Sequence, residues 1–546
     1  MTCHDAAMQE VELKFQVPPQ ARKAVESAVA GPHPARRIRL QAAYFDTPLG
    51  ALAGAALALR LRKEGRVWVQ TLKGTLPDGT GMIRSEHNVP RVEGGPDAPA
   101  IDPHLHAGTP VGAALLKVLQ QADGELRSVM VTDIWRRVRT TRVPGGWVEL
   151  AFDVGTIEAG PAEAPRRVSV CELEIELKRG HPQAVVGAAQ RWVTRHGLWL
   201  DTRSKAELGN LLLRDVAMAA PRRAGEVILA RSMSPAQALD VVLRSCLEQI
   251  SVNASQIASG VHAPEHVHQL RVGLRRLRTA LRFFGGSRLA EAIDAGTRDA
   301  LAADAAEWFR LLGQARDRDA VAGPLAIDLA RALSAVGLSG EMPALHATGD
   351  EIDPTLVVRR GSSQRLILGL ISRLQRGQPT VAAAAVPVAS AAAQPVLSEP
   401  RIEGPVTSLT LRKRLVQRLN RWHRQVAADA QHFDVLDDEG RHRLRKHVKR
   451  LRYAVEFSAG VFDAREVRRY LQGLRALQER LGIVNDVAVG IALYSAAAPA
   501  DARALFALGW LASQRERALQ ACRPELKRFL AMPRFWRSRR NKTASK

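Results

Sequence analysis

Alternation of polar and apolar positions marks the N-terminal part of the chain. In residues 8–90 and 129–178 the two kinds of residue alternate with a period of two, as in Glu10–Phe15 and Glu172–Leu177. Successive side chains of a strand point to opposite faces, so this pattern predicts strands with one charged and one apolar face. We therefore expect an antiparallel sheet in this part of the chain.

Two stretches of the same part have a helical pattern. Residues 110–122 and 182–196 place their apolar residues at helical spacing. Together with the strands they predict an α+β domain over residues 8–214, with helices flanking the sheet. Residues 215–230 hold no strong pattern and are predicted to form a linker.

From Ser234 onward the apolar positions recur with a period of 3.6. Ser234 is a suitable N-cap and Pro235 suits the first helical position, so a helix is predicted to begin there. The pattern predicts an all-α domain over residues 231–535. An Ala/Pro-rich tract at 376–405 interrupts it and is predicted to be a linker, and residues 536–546 form a basic tail.

The helical domain contains an internal repeat. The segment HQLRVGLRRLR at 268–278 matches HRLRKHVKRLR at 442–452. A second pair, LGQARDRDA at 312–320 and LGIVNDVAV at 481–489, follows at nearly the same offset. Two ordered matches predict two similar helical bundles related by a pseudo-twofold axis. The predicted bundles span residues 234–375 and 406–530.

The charged faces of the predicted strands are segregated by sign. The first and the late strands are acidic, as at Glu10, Glu12 and Glu172, whereas the middle strands are basic, as at Arg60 and Arg62. A solvated face is the ordinary explanation of one charged face, but such faces usually mix both signs within a strand. The segregation, with an apolar opposite face, favours a closed antiparallel β-barrel with a charged interior.

Acidic strands that face basic strands suit a metal ion and a chain of phosphates. Arg and Lys neutralise phosphate oxygens, and Arg binds them bidentately. Carboxylates are the preferred ligands of Mg²⁺ and Mn²⁺, which phosphoryl transfer requires. A water that attacks the terminal phosphorus then needs in-line placement and charge stabilisation. The N-terminal domain is thus expected to hydrolyse a triphosphate.

The segment Glu10-Val-Glu12-Leu-Lys14 resembles the ExExK signature of the CYTH family, the triphosphate tunnel metalloenzymes. Further charged positions follow in the order found in that family: Arg60 and Arg62, Lys73, Arg84 and Glu86, an arginine strand at 136–142, Asp153, an acidic strand at 172–176, and Ser204-Lys205. The resemblance spans the whole N-terminal domain. It implies a tunnel-shaped β-barrel and Mg²⁺ or Mn²⁺ as cofactor.

The resemblance also implies roles for these residues. The residues expected to serve the metal ions are Glu10, Glu12, Asp153, Glu172 and Glu174. Those expected to bind the triphosphate are Lys14, Arg60, Arg62, Lys73, Arg84, Arg137, Arg139 and Lys205. The catalytic set is Glu10, Glu12 and Lys14, in which Lys14 contacts phosphate or activates water.

Two assignments stay open at this point. The late acidic strand has three glutamates on one face, so the metal pair is Glu172 with Glu174 or Glu174 with Glu176. Any of four arginines can reach the tunnel: Arg136, Arg137, Arg139 and Arg142. Alternation favours Arg137 and Arg139. Glu86 can orient an arginine instead of binding metal.

A basic stripe recurs in both halves of the helical domain. Its members step by three and four residues, so they share one helix face: His268, Arg271, Arg275, Arg278 and Arg282 in the first copy, and His442, Arg445, Lys449 and Arg452 in the second. Like charges at this spacing repel one another. Their recurrence therefore favours an external anion over a solvated face. The histidines lack a second ligand at i+4, which argues against a metal site.

This duplicated pattern of histidine and basic residues resembles the CHAD domain, a conserved histidine α-helical domain that binds inorganic polyphosphate. The resemblance covers residues 234–530 and implies polyphosphate as the partner of both stripes. The second copy has Asn485-Asp486-Val487-Ala488 where the first has Arg316-Asp317-Arg318-Asp319. These residues receive no role beyond positioning the stripe. Nucleic acid is the natural competitor, but the helical part lacks an aromatic-rich surface for stacking bases.

The charge balance agrees with a polyanionic partner. The net charge is +24, of which residues 1–214 supply +5, from 28 Lys and Arg against 23 Asp and Glu, and the remainder supplies +19.

The four cysteines lie far apart without a CxxC pair, which argues against a thiolate zinc site and a disulfide framework. With no signal-peptide pattern and no apolar run of membrane-spanning length, a cytoplasmic location is expected, alone or on polyphosphate granules.

Three functions are consistent with these observations. The first is metal-dependent hydrolysis of inorganic triphosphate, with the helical domain binding polyphosphate. The second is a non-catalytic polyphosphate-binding or granule-associated protein. The third is an organic triphosphatase, acting for example on thiamine triphosphate, or an adenylate cyclase in the same tunnel. The full set of carboxylates favours the first, because a passive anion site gains nothing from them.

Overall fold

The computed structural model describes residues 8–31, 35–75, 83–91, 98–122, 125–161, 163–285, 289, 292–314, 324–337, 352–376, 408–499, 501 and 503–537. The Ala/Pro-rich tract beyond residue 376 and the basic tail beyond residue 537 lie outside these residues. The chain forms two compact units. The first comprises Met1–Ala224, Leu247–Gly273 and Thr355–Gln394, and the second comprises Gly225–Cys246, Leu274–Pro354 and Pro395–Lys546.

The described part of the first unit contains a nine-stranded antiparallel sheet. Its strands are β1 (Met8–Gln16), β2 (Arg36–Asp46), β3 (Leu57–Glu64), β4 (Val67–Thr75), β5 (Ile83–Arg91), β6 (Arg127–Val143), β7 (Gly146–Ala159), β8 (Arg166–Gly180) and β9 (Trp199–Leu200). Their order is β5-β4-β3-β2-β6-β7-β8-β1-β9, and β1 also pairs with β5. The predicted antiparallel sheet is therefore confirmed.

Helices flank this sheet, as predicted. They are α1 (Arg22–Ala30), α2 (Ala51–Gly54), α3 (Pro110–Gln121), α4 (Gln183–His196) and α5 (Lys205–Leu213). The helices predicted at 110–122 and 182–196 correspond to α3 and α4. The alternating pattern was wrong over α1, which lies within the stretch assigned to strands. This helix has nine residues and buries only Val25 and Val29, too few to reveal a helical period.

The short helix α5 matters most for the site. Ser204 caps it by accepting a hydrogen bond from Glu207 N, while the Glu207 carboxylate accepts one from Ser204 N, a reciprocal capping box. At Gly209 the helix lies so close to β6 that a Cβ would fall 2.0 Å from Met130 Sδ. The cap and this close packing place Lys205, the first residue of α5, beside the charged strands.

The chain beyond Ser234 is helical wherever the structure describes it, apart from short connections. Its helices are α6 (Pro235–Ala258), α7 (Pro264–Phe284), α8 (Ala295–Gln314), α9 (Pro324–Ala335), α10 (Pro354–Arg359), α11 (Gly361–Leu374), α12 (Ser408–Gln431), α13 (Asp438–Ser458), α14 (Ala464–Ala497) and α15 (Arg503–Ala531). The predicted all-α fold and the predicted start of the first helix at Pro235 are confirmed.

The sequence repeat corresponds to a repeat of elements. Helices α6 and α12 each have 24 residues, and the helices that follow them, α7 and α13, each have 21 residues. The matching segments 268–278 and 442–452 lie in α7 and α13. Each half of the domain thus begins with the same pair of helices.

Two segments without a sequence pattern are nevertheless packed. The predicted linker 215–230 has no regular element, but its Val227 and Leu229 are buried. Trp536, assigned to the basic tail, is 1% exposed, and its Nε1 donates to Asn420 Oδ1 at 3.0 Å. Isolated apolar residues of this kind carry no periodic signal, so the sequence does not reveal their burial.

Among the described residues, α14 alone is long and apolar enough to cross a membrane, with a mean hydropathy of 1.2 over its most apolar window. Core helices of water-soluble domains pass the same test. One third of that window is buried, and Leu481, Val484, Val487 and Tyr494 are buried residues in the C-terminal half of α14.

Candidate active site and anion cavity

Three carboxylates on two adjacent strands form the centre of the N-terminal site. Asp153 of β7 lies opposite Glu172 of β8 in the strand register, and Glu174 follows on the same face of β8. One oxygen of each lies within 4.8 Å of the others. Asp153 and Glu172 are 0% exposed. Three convergent hard oxygens fit the coordination that Mg²⁺ and Mn²⁺ prefer.

Lys205 and Arg136 each contact more than one carboxylate of this cluster. Lys205 Nζ lies 2.9 Å from Asp153 Oδ2 and 2.9 Å from Glu174 Oε1, and it also bonds Glu172. Arg136 donates to Asp153 from Nε and Nη2, each at 2.7 Å, and also bonds Glu174. Burial alone would raise the pKa of Glu174, but Arg136 and Lys205 hold this pKa well below its usual range. An ammonium group thus occupies the position between the carboxylates that suits a divalent cation.

A second charged cluster lies where β1 meets β5. Lys73 Nζ lies 3.0 Å from Glu10 Oε2 and also bonds Glu86. Arg60 Nη2 lies 3.8 Å from Glu86 Oε1, and its Nη1 is 3.4 Å from the Tyr44 hydroxyl. Burial and the neighbouring Glu12 carboxylate raise the pKa of Glu10 well above its usual value. Glu86 therefore contacts the basic groups of β3 and β4, in agreement with an orienting role.

Strand β1 links the two clusters. In the register Glu10 lies opposite Arg84 of β5, whereas Lys14 lies opposite Glu174 of β8. Lys14 Nζ is 3.2 Å from Glu172 Oε2 and also bonds the carbonyl oxygen of Arg203. Glu12, between them, is buried. The alternating residues of ExExK therefore run from one cluster to the other, although the side chain of Arg84 lies outside the described part.

The structure places Arg137 and Arg139 away from the carboxylates, unlike the expectation from alternation. Arg137 Nη2 lies 3.0 Å from Glu26 Oε1, and Arg139 Nη2 donates to Ala28 O at 3.0 Å, both in α1. Arg136 is on the opposite face of β6 and bonds the cluster. Both alternating sets of the RRVRTTR segment contain arginine, so only the pairing of Arg136 with Asp153 decides the inward face.

Two further residues of the predicted site, Arg62 and Glu176, form ion pairs outside these two clusters. Arg62 bonds Glu64 of the same strand. Glu176 lies 2.7 Å from Lys178, which also contacts Glu149 at 3.3 Å. The geometry therefore groups Glu172 and Glu174 with Asp153 and leaves Glu176 with its own lysine. Of the two pairs left open by the sequence, this grouping favours Glu172 with Glu174.

In the two basic stripes of the helical domain, arginines of the first lie over an aromatic ring, and the histidine of the second contacts an asparagine. Arg275 and Arg278 of α7 lie over the Phe309 ring, at 5.2 and 5.7 Å from its centroid. His442 of α13 has its Nδ1 2.6 Å from Asn485 Oδ1. Burial lowers the pKa of His442, against the opposing effect of this bond. Asn485 thus contacts the histidine of the stripe, in agreement with the positioning role considered from the sequence.

Arg452 of the second stripe has two partners of its own. It donates to Gln478 Oε1 and to Glu456 Oε1, each at 2.8 Å. It therefore already has a carboxylate partner and is less available to an external anion. The remaining stripe residues are His268 and Arg271 in the first copy and Arg445 and Lys449 in the second, of which Arg271 is buried.

A basic cavity of about 270 Å³ lies in the second unit. Its lining residues are Arg282, Arg418, Arg421, Trp422, Gln425, His447 and Arg450. Among the described residues, no carboxylate lies within 4 Å of the guanidinium nitrogens of Arg282, Arg421 or Arg450. Burial, and then repulsion from Arg282 and Arg278, lowers the pKa of Arg450 to about 10. Mutually repelling cations around one cavity favour a bound anion.

Only Arg282 of this lining belongs to a predicted stripe. Arg418 and Arg421 come from α12, and Arg450 comes from a different face of α13. Arg418 is held in place because its Nε donates to Phe283 O at 3.0 Å and its Nη2 to Arg282 O at 2.6 Å, at the end of α7. The repeated stripe does not include these residues, because Arg418 and Arg421 come from another helix and Arg450 lies off the stripe face. Arg276 matches Arg450 in the first copy.

Two family models match the chain: the CYTH domain over residues 8–207 and the CHAD domain over residues 241–495. The chain therefore consists of a CYTH domain followed by a CHAD domain. It is distantly homologous to the inorganic triphosphatase of Haemophilus influenzae, with 28% identity over 213 residues. That match covers 38% of this chain and 55% of the relative, so the chain spans about half the length of this curated protein.

Two solved structures are also similar. The CHAD domain from the plant Ricinus communis is 25% identical and covers 56% of this chain and 96% of its own, with a TM-score of 0.40. A putative adenylyl cyclase from Hippeastrum, described as revealing a dominant triphosphatase activity, is 18% identical. It covers 37% of this chain and 95% of its own, with a TM-score of 0.26.

Proposed function

We propose that this protein hydrolyses inorganic triphosphate to pyrophosphate and phosphate with Mg²⁺ or Mn²⁺. The observation that carries the proposal is the cluster of Asp153, Glu172 and Glu174 beside lysines and arginines of neighbouring elements. The distant homology to an inorganic triphosphatase supports the choice of substrate. The expected location is the cytoplasm.

The proposed site is the interior of a closed barrel. Its support is the double pairing of β1, with β8 from Glu12 to Gln16 and with β5 from Met8 to Val11. Such pairing brings the two sides of the sheet together, so the inward faces of β3, β4 and β8 surround one space. This closure would enclose a linear triphosphate on all sides.

Each charged group has a proposed role in the reaction. The residues that would hold the metal are Glu10, Glu12, Asp153, Glu172 and Glu174. A bound divalent ion supplies charge neutralisation and Lewis acidity to the phosphate oxygens. The residues that would bind the triphosphate are Lys14, Arg60, Arg62, Lys73, Arg84, Arg136 and Lys205. Arg136 takes the place expected for Arg137 and Arg139, which contact α1. Lys14, beside Glu172, would orient the attacking water or the terminal phosphate.

A substrate panel tests the proposal. Trp68 and Trp135 are candidates for stacking on a base or a thiamine ring, but they lie on the opposite strand faces from Lys73 and Arg136. We therefore expect phosphate release from tripolyphosphate to be faster than from ATP or thiamine triphosphate. Faster turnover of an organic triphosphate, or cyclic AMP from ATP, would contradict the substrate assignment. No turnover of any substrate would favour the non-catalytic alternative.

The Lys205→Met variant is expected to bind Mn²⁺ about tenfold more tightly in the absence of triphosphate. The Lys205 ammonium contacts all three carboxylates, so it competes with a divalent cation, and methionine removes this charge while keeping the chain length. Titration calorimetry with Mn²⁺ measures the effect. Lys178→Met, which removes the partner of Glu176 on the same strand, is the matched control and should leave the affinity unchanged. Equal or weaker Mn²⁺ binding in Lys205→Met would contradict competition.

We further propose that the helical domain binds inorganic polyphosphate, with the basic cavity as part of its binding surface. The specific observation is the group of Arg282, Arg421 and Arg450, which face the cavity without a described carboxylate partner. Several phosphates bound by several cations should release counterions, so binding should weaken steeply with salt. The stripe residues of the second unit, from Arg275 to Arg282 and from His442 to Lys449, would extend this surface. His268 and Arg271 belong to the first unit and keep the same anion-binding expectation there.

The Arg450→Gln variant is expected to bind long-chain polyphosphate about tenfold more weakly, because one charge-assisted contact is lost. Its salt dependence should also become less steep. Arg443→Gln is the control, since Arg443 lies on the same helix but pairs with Glu439 at 2.9 Å. Filter binding at two salt concentrations measures both variants. An equal effect of the two substitutions would contradict a role for the cavity and leave only general charge attraction.

A further inference from the structure

The segment from Trp199 to Lys205 joins the sheet to α5 and touches both lysines of the carboxylate cluster. Leu200 pairs with Phe15 of β1, and Asp201 N donates to Lys14 O at 3.0 Å. The carbonyl oxygen of Arg203 accepts from Lys14 Nζ. Two residues further on, Lys205 begins α5 and bonds the carboxylates. The position of this segment therefore determines where both lysine ammonium groups lie.

Within the segment, the Asp201 side chain forms hydrogen bonds that hold the backbone in place. Its carboxylate is buried and accepts from Arg203 N at 2.9 Å, from Arg203 Nε at 3.0 Å and from Gln16 Nε2 at 3.1 Å. These bonds fix the turn at Arg203 relative to β1. The backbone N–H groups of Leu200 and Thr202 donate instead to acceptors outside the segment.

Those acceptors come from the helical domain, within the same compact unit. Ser255 Oγ of α6 accepts from Thr202 N at 3.0 Å and from Thr202 Oγ1 at 3.2 Å. Gln364 Oε1 of α11 accepts from Leu200 N at 2.9 Å. Ser255 and Gln364 are each 1% exposed.

Both acceptors are themselves held by backbone groups. Ser255 Oγ donates to Ser251 O at 2.8 Å, and Gln364 Nε2 donates to Val358 O at 2.9 Å. Each side chain is therefore fixed in the orientation that presents its oxygen to the segment. A buried side chain with both of its polar functions satisfied makes a rigid anchor.

We propose that Ser255 and Gln364 are positioning residues of the triphosphatase site, by which the helical domain fixes the segment that carries Lys205 and the acceptor of Lys14. This inference rests on the proposed function. It implies that the catalytic geometry is completed by residues outside the CYTH match, which ends at residue 207. The helical domain would thus contribute to turnover as well as to polyphosphate binding.

Ser255→Ala in the full-length protein tests this directly. The loss of the acceptor of Thr202 N should loosen the segment and lower kcat for tripolyphosphate about tenfold, with a smaller change in KM, because misplaced catalytic groups act mainly on turnover. Ser251→Ala is the matched control, since Ser251 is on the same helix, is also buried and makes no side-chain bond to the segment. Gln364→Leu and Ser363→Ala form a second such pair on α11.

Kinetics at a temperature where every variant is folded separate positioning from general stability. Thermal unfolding identifies a temperature at which all four variants are folded, and kinetics are measured there. A lower kcat in Ser255→Ala and Gln364→Leu, with both controls near wild type, is the expected result. Equal kcat in variants and controls would overturn the proposal.

Mn²⁺ calorimetry keeps the inference testable even if the protein lacks triphosphatase activity. A loosened segment weakens the competition of Lys205 for the carboxylates, so Ser255→Ala should bind Mn²⁺ at least about threefold more tightly than Ser251→Ala. Unchanged affinity would overturn the positioning role. Absence of turnover in the wild type, with this affinity shift present, would instead refute the proposed function alone.

Discussion

The Glu172→Gln variant is expected to lose more than about 100-fold in the rate of tripolyphosphate hydrolysis. Loss of an outer-shell partner of a metal site commonly costs about 10- to 100-fold in activity, so loss of a metal ligand should cost more. Glu172 is fully buried, lies 3.2 Å from Lys14 and also bonds Lys205. An amide removes the charge that a divalent cation needs and leaves both ammonium groups with weaker compensation.

Glu176→Gln is the matched control for this variant. It lies on the same face of the same strand, but it pairs with Lys178 at 2.7 Å. We expect it to keep Mn²⁺ binding and most of the activity, whereas Glu172→Gln loses both. Calorimetry with Mn²⁺ and phosphate-release kinetics distinguish them. Loss of metal binding in Glu176→Gln with retention in Glu172→Gln would show that the ion is bound by Glu174 and Glu176.

The Arg136→Gln variant should have the second largest effect. Arg136 makes two bonds of 2.7 Å to Asp153, which is fully buried, and a third to Glu174. Removing one partner of a buried ion pair leaves the other charge uncompensated, which typically costs about 3 kcal/mol of folding stability. Since the group also faces the proposed phosphate path, we expect hydrolysis to fall together with the melting temperature.

Arg137→Gln separates the two faces of β6. Its partner is Glu26 of α1, at 3.0 Å and half exposed, so the pair should contribute less than about 1 kcal/mol. Thermal melts and kinetics of both variants, at a temperature where both are folded, give the comparison. A larger loss of activity in Arg137→Gln than in Arg136→Gln would mean that the inward face is the one that alternation first suggested.

Much of the N-terminal site can be predicted from sequence, because its charged residues alternate along strands and follow one another in the order found in the CYTH family. The alternation at Glu10, Glu12 and Lys14 fixes one charged face without ambiguity, since the intervening Val11 and Leu13 are apolar. The arginine segment of β6 has no such contrast. Its inward face is set by pairing with β7, a long-range contact that no local pattern encodes.

In the helical domain, too, local features can be predicted from sequence whereas long-range contacts cannot. The duplicated stripes and the start at Pro235 are local features, and the helices follow them. The basic cavity is assembled from α12, α13 and the end of α7, so its arginines are brought together only by tertiary packing. The anchors Ser255 and Gln364 are single polar residues among apolar ones, and their role depends on the segment that they contact.

The most direct test of the central claim is the stoichiometry of tripolyphosphate cleavage by the full-length protein. With Mg²⁺ or Mn²⁺, the account predicts one phosphate and one pyrophosphate for each tripolyphosphate consumed, and no turnover after removal of the metal with a chelator. Turnover that persists in excess chelator would contradict the metal-binding role of Asp153, Glu172 and Glu174. Metal binding without any cleavage would show that the protein holds phosphate chains but does not hydrolyse them.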